Sequence, residues 1–248
     1  MTPEQALDRW GRGWRGPFFA ALVALLAALP GVIAVPTLDR DEARFAEATA
    51  QMLETRDFVS IRFQDEARNK KPVGIHWLQA ASVKLLSHAE DRAIWAYRIP
   101  SLLGAMLAAA ACAWGAAAFL RRDLAALAGA ALGASFVLST EANFAKTDAV
   151  LCGAVTLAMA ALARIYLAGR GGPPAGKAVK AAFWIGLTLS VLVKGPVGPM
   201  VIASALALLC LWDRQAGWLR GLGWGWGLIL LAAVVGPWAM AITVATDG

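Results

Sequence analysis

Residues 17–45 read PFFAALVALLAALPGVIAVPTLDRDEARF. From Pro17 to Leu38 there is no charge, and then five of the next seven residues, Asp39, Arg40, Asp41, Glu42 and Arg44, are ionised. An apolar run of about 18 residues or more crosses the ~30 Å hydrocarbon layer of a bilayer. This stretch is therefore a membrane span that opens directly onto a charged surface. Further apolar runs follow at 99–120, 124–140, 149–167, 181–193, 197–212 and 222–246. The reading is an all-α fold, a polytopic transmembrane helical bundle of about seven spans, with a first outer loop over 39–98 built from amphipathic juxtamembrane helices.

Composition agrees. Of 248 residues, 59% are hydrophobic and 16% charged, against roughly 45–50% and about 25% in soluble domains, which excludes an ordinary soluble enzyme. Residues 18–35 imitate a signal peptide but lack a clear small-x-small cleavage site, so they read as a retained span. Cys112, Cys152 and Cys210 all lie in apolar runs with no Cys-x-x-Cys spacing, which argues against a disulfide framework or a zinc site. The net charge of +6 sits in short clusters between apolar runs. No basic stripe of the kind that follows nucleic acid is present.

Placing the amino terminus inside sorts the charges. The inner segments hold Glu4, Asp8, Arg9, Arg12, Arg15, the 121–123 cluster, Arg164, Arg170, Lys177, Lys180, Asp213, Arg214 and Arg220, a net +7. The outer segments, chiefly 39–98 with Glu141, Lys146, Asp148, Lys194 and Asp247, carry a net −1, and the two together give the +6. The short inner loops hold the basic excess, as the positive-inside rule requires. Trp10, Trp14, Trp95, Trp212 and Trp218 fall near span ends, where an aromatic belt is expected.

Within the first outer loop, Phe45, Thr49, Met52 and Leu53 recur at helical spacing, and Asp39 with Glu42 forms an acidic capping box. A second helix is expected over 72–87, opened by Pro72, either interfacial or re-entrant on the outer leaflet or a short span. Lys194-Gly195-Pro196 interrupts a long apolar run and must break a helix. Either the preceding helix extends back to Ala175 with Lys177 and Lys180 snorkelling, or Lys194 sits below the outer interface, where an ammonium is costly without an anionic partner. The glycines from Gly221 to Gly227 alternate with Trp224 and Trp226 and follow no strand, so they are not a dinucleotide fingerprint.

The polar groups needing explanation collect on the outer side: Asp41 and Glu42, the run Arg68-Asn69-Lys70-Lys71-Pro72, Glu141, Lys146, Asp148 and Lys194. Acids and lysines converging at one leaflet suit an anionic lipid headgroup together with a base. LDRDEARFAEATAQML at 38–53, RDFVSIRFQDEARNKKPVGIHWLQA at 56–80, AYRIPSLLGAM at 96–106, KTDAVL at 146–151 and LVKGPVG at 192–198 occur in that order. The series resembles the bacterial members of the protein O-mannosyltransferase superfamily, and is most similar to the lipid A aminoarabinose transferases and their undecaprenyl-phosphate-sugar relatives. These are type-C membrane glycosyltransferases.

The resemblance implies an inner-membrane, multi-pass enzyme whose amino terminus is cytoplasmic and whose active cavity is periplasmic. It would move a hexosyl or pentosyl unit from a polyprenyl-phosphate donor to lipid A, another envelope glycolipid or a protein hydroxyl, by inversion. Asp41 corresponds to the catalytic base; its alternative, like that of Glu42, is complementing a helix amino terminus. Glu42 counts as supporting. Lys71 matches the lysine that contacts the donor phosphate, against a solvated basic run at the interface. Lys194 matches the lysine of the Lys-Gly motif, against a lysine snorkelling from a helix end. Asp148 corresponds to a second acid near the cavity, although Thr147-Asp148 is also a good helix start. Arg44 either orients Asp41 or pairs with Glu47.

Many relatives carry Glu before Lys-Pro, associated with a metal. Here Lys70 stands there, so neither metal nor cofactor is expected. His76 reads as a packing or interfacial residue. The implied partners are the lipid-linked donor, the acceptor and membrane lipids, with no nucleic acid. The resemblance also implies an amino-terminal half that lacks a carboxy-terminal periplasmic domain and is inactive without a second chain. Two rival readings remain, a transporter or flippase of lipid-linked sugars, for which a broken helix is natural, and a non-catalytic scaffold. Internal repeats, which would favour the transporter, are not evident.

Overall fold

A computed structural model describes residues 13–246. Glu4, Asp8, Arg9, Trp10, Arg12 and Asp247, used above for charge and belt, lie outside the described residues. The architecture is all-α. In chain order the helices are α1 (Arg15–Ala34), α2 (Arg40–Thr55), α3 (Gly74–Leu86), α4 (Ile94–Ala116), α5 (Arg122–Gly133), α6 (Phe136–Ala142), α7 (Asp148–Gly169), α8 (Lys177–Lys194), α9 (Val197–Asp213) and α10 (Trp224–Ala245).

α1 buries one narrow stripe, Gly16, Ala20, Ala24, Ala28 and Val32, four residues apart, and packs it on α4 and α5. Small side chains let membrane helices approach closely. Phe18, Leu22, Leu26 and Ile33 face outward, where lipid would solvate them. The helix stops at Ala34, short of Leu38, because Val35 precedes Pro36 and is extended, with φ −74° and ψ 125°. A second core lies between α7, α8 and α9 around Leu162, Ile165, Phe183, Trp184 and Ile202.

Four helices, α1, α4, α7 and α10, are long and apolar enough to cross a membrane by length and composition, or five if α5 and α6 form one span. Those two replace the single run expected over 124–140. They meet at 57°, where Gly133, a weak helix former, and the extended Ser135, with φ −64° and ψ 140°, interrupt the ladder and the Ser135 hydroxyl donates to Leu132 O at 2.7 Å. α4 begins at Ile94 rather than Ile99, because Arg98 is wholly buried and no longer limits the apolar run. α8 extends back to Lys177 and so carries three lysines, and α9 has 17 residues. Seven spans thus remain an expectation where α8 and α9 are concerned.

The loop between α1 and α4 is ordered. α2 and α3 pack on each other, joined by a small antiparallel hairpin that pairs Arg62 with Ala67 and Phe63 with Glu66. The hairpin was not expected from sequence. At 13 residues, α3 is about 20 Å long, too short to span. Its first residue, Gly74, sits against α8, where a Cβ would lie 2.6 Å from Leu192 O. Only glycine allows that approach. Trp218, assigned above to the aromatic belt, is instead buried, edge-on to Tyr166 with ring centroids 5.2 Å apart.

Candidate active site

The outer-loop helices bring the expected residues to one end of the bundle, where α1 ends and α2, α4, α7 and α8 meet. Asp39 is the N-cap of α2, and its carboxylate accepts from the amides of Asp41 at 2.6 Å and Glu42 at 3.3 Å. It also pairs with Lys146. That hydrogen bond, against the cost of burial, holds the Asp39 carboxyl below its ordinary range. Burial would lower the Lys146 ammonium, but Asp39, with Glu141 and Asp148 behind it, pushes it above the ordinary lysine value.

Only half of the expected capping box forms. Glu42 does not return to the Asp39 amide; its carboxylate is wholly buried and takes Nε and Nη2 of Arg98 at 2.7 and 2.9 Å. It also accepts the Ala145 amide at 2.9 Å. Arg98 Nη1 donates to Val32 O at 3.2 Å and Val35 O at 2.6 Å. Glu42 and Arg98 therefore tie α1, α2, α4 and the segment before α7 together, and Glu42 faces no open space.

Asp41 points the other way in accessibility, its side chain 51% exposed. Arg44 Nη1 lies 3.5 Å and Arg68 Nη2 4.0 Å from its Oδ1. Glu47, the alternative partner of Arg44, is taken by Arg92 at 2.6 Å. Arg68 comes from the hairpin exit, fixed by its amide donating to Ile61 O at 2.7 Å. Lys71 is half-buried, its ammonium 4.9 Å above the Phe45 ring. Burial, with the charges of Lys194 and Arg68, lowers its pKa, and Asp148 and Asp41 oppose that only in part. No carboxylate lies within 4 Å of it among the described residues.

Asp148 is the first residue of α7 and Lys194 the last of α8, and the two are paired. Gly195 turns the chain out of α8 with φ +63°, a conformation natural to glycine. Of the two expected phosphate contacts, Lys194 is thus already neutralised and Lys71 is not. Glu141 stands nearby with a buried Oε2 that has no described partner. Grouped His, Cys, Asp or Glu of the kind that hold a metal do not occur among the described residues.

Beneath the site, His76 is buried. The Thr49 hydroxyl donates to Gln79 Oε1 at 2.7 Å, so its remaining contact, 2.8 Å from His76 Nδ1, must be accepted from an Nδ1–H. Burial and then the charges of Arg68 and Lys71 push the His76 pKa down to about 3. The neutral ring is favoured in the fold but the unfolded chain protonates near 6.5, so stability falls as pH drops from 6.5 toward 3. Two pH units below 6.5 that loss is about 3 kcal/mol. His76→Gln, which keeps a donor, is expected to flatten the fall in thermal stability between pH 6.5 and 4.5. An unchanged slope would refute the buried neutral ring.

No family model and no curated protein matches the sequence. Solved structures do. The chain shares the fold of ArnT. The structure of ArnT from Cupriavidus metallidurans in the apo state superposes with a TM-score of 0.80, and the one bound to undecaprenyl phosphate with 0.81, each at 24% identity over 92% of this chain. The chain spans 42% and 41% of those ArnT chains. The motif order read from the sequence and this likeness agree on one fold.

Proposed function

We propose that the chain forms the donor-binding, base-carrying part of a membrane glycosyltransferase that uses a polyprenyl-phosphate-linked sugar. The observation carrying this is an exposed carboxylate, Asp41, in the same cluster as a half-buried, unpaired Lys71 ammonium. Undecaprenyl phosphate, bound in one of the ArnT structures, is the leaving group such a donor would release. Asp41 takes the proton of the acceptor hydroxyl as its oxygen attacks the anomeric carbon. The bond from that carbon to the phosphate oxygen breaks with inversion, and Lys71 stabilises the charge gained by the lipid phosphate. Arg44 and Arg68 hold Asp41 in position; Lys194 assists the phosphate only by sharing itself with Asp148.

An apolar cavity of about 390 Å³ between α3, α4, α7 and α8, lined by Leu78, Leu85, Leu103 and Leu189 among others, gives an isoprenoid chain a dry path. Its Val150 and Leu189 belong to the elements that carry Asp148 and Lys194. The site is periplasmic and the amino terminus cytoplasmic in this reading, in an inner membrane. The acceptor is a lipid A-like glycolipid or a protein hydroxyl.

Binding tests the donor half of this without requiring turnover. Undecaprenyl phosphate titrated onto the purified chain is expected to bind roughly 10-fold more weakly to Lys71→Ala, the worth of one hydrogen bond to a charged group. Asp41→Asn should not weaken it. Equal binding by wild type and Lys71→Ala would remove Lys71 from the phosphate site.

A further inference from the structure

At the other end of the bundle, about 30 Å from Asp41 along the 20 residues of α1, Arg164 of α7 lies in the protein without an acid. Its Nη2 donates to Trp114 O at 2.5 Å and its guanidinium sits 4.7 Å over the Trp114 ring. Its Nε is buried with no hydrogen-bond partner, and no ion pair to it occurs among the described residues. A charge at membrane depth is costly unless an opposite charge meets it.

Arg164 lines a cavity of about 350 Å³ that Arg122 also lines, at the first turn of α5, where the neighbouring acid, Asp123, is already paired with Arg121 at 3.0 Å. The walls shared with a second cavity are Gly13, Pro17 and Trp114. That neighbour, about 560 Å³, is apolar, walled by Leu107, Leu157, Val179 and Ala182 among others. A doubly cationic chamber thus adjoins a dry one at the end of the bundle to which the loop charges assign the cytoplasm. A guanidinium fork matches phosphate oxygens, and basic pockets between spans on that side bind acidic headgroups.

We propose that this end holds one anionic phospholipid, its phosphate on Arg164 and Arg122 and an acyl chain in the apolar cavity. The site is separate from the Asp41 cluster and stands whether or not the transferase reading does. The test is native mass spectrometry of the full 248-residue chain, titrated with phosphatidylglycerol and with phosphatidylcholine of equal chain length. One phosphatidylglycerol should be retained roughly 10-fold more tightly than phosphatidylcholine, a preference that Arg164→Gln and Arg122→Gln each remove. Arg122 is exposed, so its variant leaves the packing intact, and Arg164→Lys, keeping the charge without the fork, should retain part of the preference. Inorganic phosphate at equal concentration should not displace the lipid. Displacement would assign the site to a free anion and overturn the proposal. So would equal retention of both lipids, no retention by wild type, or unchanged binding by folded Arg122→Gln.

Discussion

Asp41→Asn is expected to reduce sugar transfer by roughly 10²–10⁴-fold, the usual worth of a positioned general base. Asparagine keeps the size and the first-turn position on α2 but cannot accept the proton. The measurement is mass spectrometry of envelope glycolipids and glycoproteins from the native host carrying the codon change, against wild type and a deletion of the gene. Asp41→Glu, which restores a carboxylate on a longer arm, should recover part of the activity. Because Asp41 is half exposed and its side chain, among the described residues, makes only the 3.5 and 4.0 Å contacts to Arg44 and Arg68, its replacement should leave the unfolding temperature nearly unchanged. Asp39→Ala supplies the contrast: it removes the N-cap of α2 and the partner of Lys146, and a lost cap alone costs about 0.5–2 kcal/mol. Transfer in the Asn variant equal to wild type would end the assignment of Asp41 as base.

The two neighbouring acids show why a site of this kind is only half visible in sequence. Asp41 and Glu42 are adjacent carboxylates, and spacing alone offers both the same role, complementing a helix start. Successive helical positions differ by about 100° around the axis, and that rotation sends one to an open surface and the other into the protein. A charge pattern cannot tell which faces inward until its partner is known, and the partner here is Arg98, 56 positions away. Arg98 stands at the head of an apolar run, where the sequence alone assigns it to the loop. The available signal was that Glu42 shares with Phe45 and Thr49 the face that α2 buries, an acid on an otherwise apolar stripe.

What periodicity could carry, it carried: the span of α1, the amphipathic α2, and the break at Lys194. The contacts that follow from tertiary structure are not readable, and they include that of Arg68 with Asp41, made by a hairpin of two residue pairs. The pairing of Lys194 with Asp148 is another case. Both were singled out, yet nothing in spacing says that the end of α8 meets the start of α7. The short inner basic loops were equally silent about Arg164, which reads as one more positive-inside charge but lies over Trp114.

Glu42→Gln is expected to be the most destabilising single change at this end of the molecule, by about 3–5 kcal/mol, because it leaves the Arg98 guanidinium buried without a counter-charge. Both side chains are fully buried, so water cannot compensate. Arg98→Met should cost a similar amount by stranding the Glu42 carboxylate and freeing the carbonyls of Val32 and Val35. The double variant Glu42→Leu/Arg98→Met should cost less than the sum of the two, since replacing both charges by apolar groups removes the desolvation penalty on each side. Thermal unfolding of the purified chain in one detergent measures all three. Additive losses would show that Glu42 and Arg98 do not act as a pair. The structural role also separates from the chemical one: at a temperature where Glu42→Gln remains folded, its binding of undecaprenyl phosphate should match wild type, since Glu42 meets no solvent. A strong loss of binding in that folded variant would place Glu42 in the donor site itself.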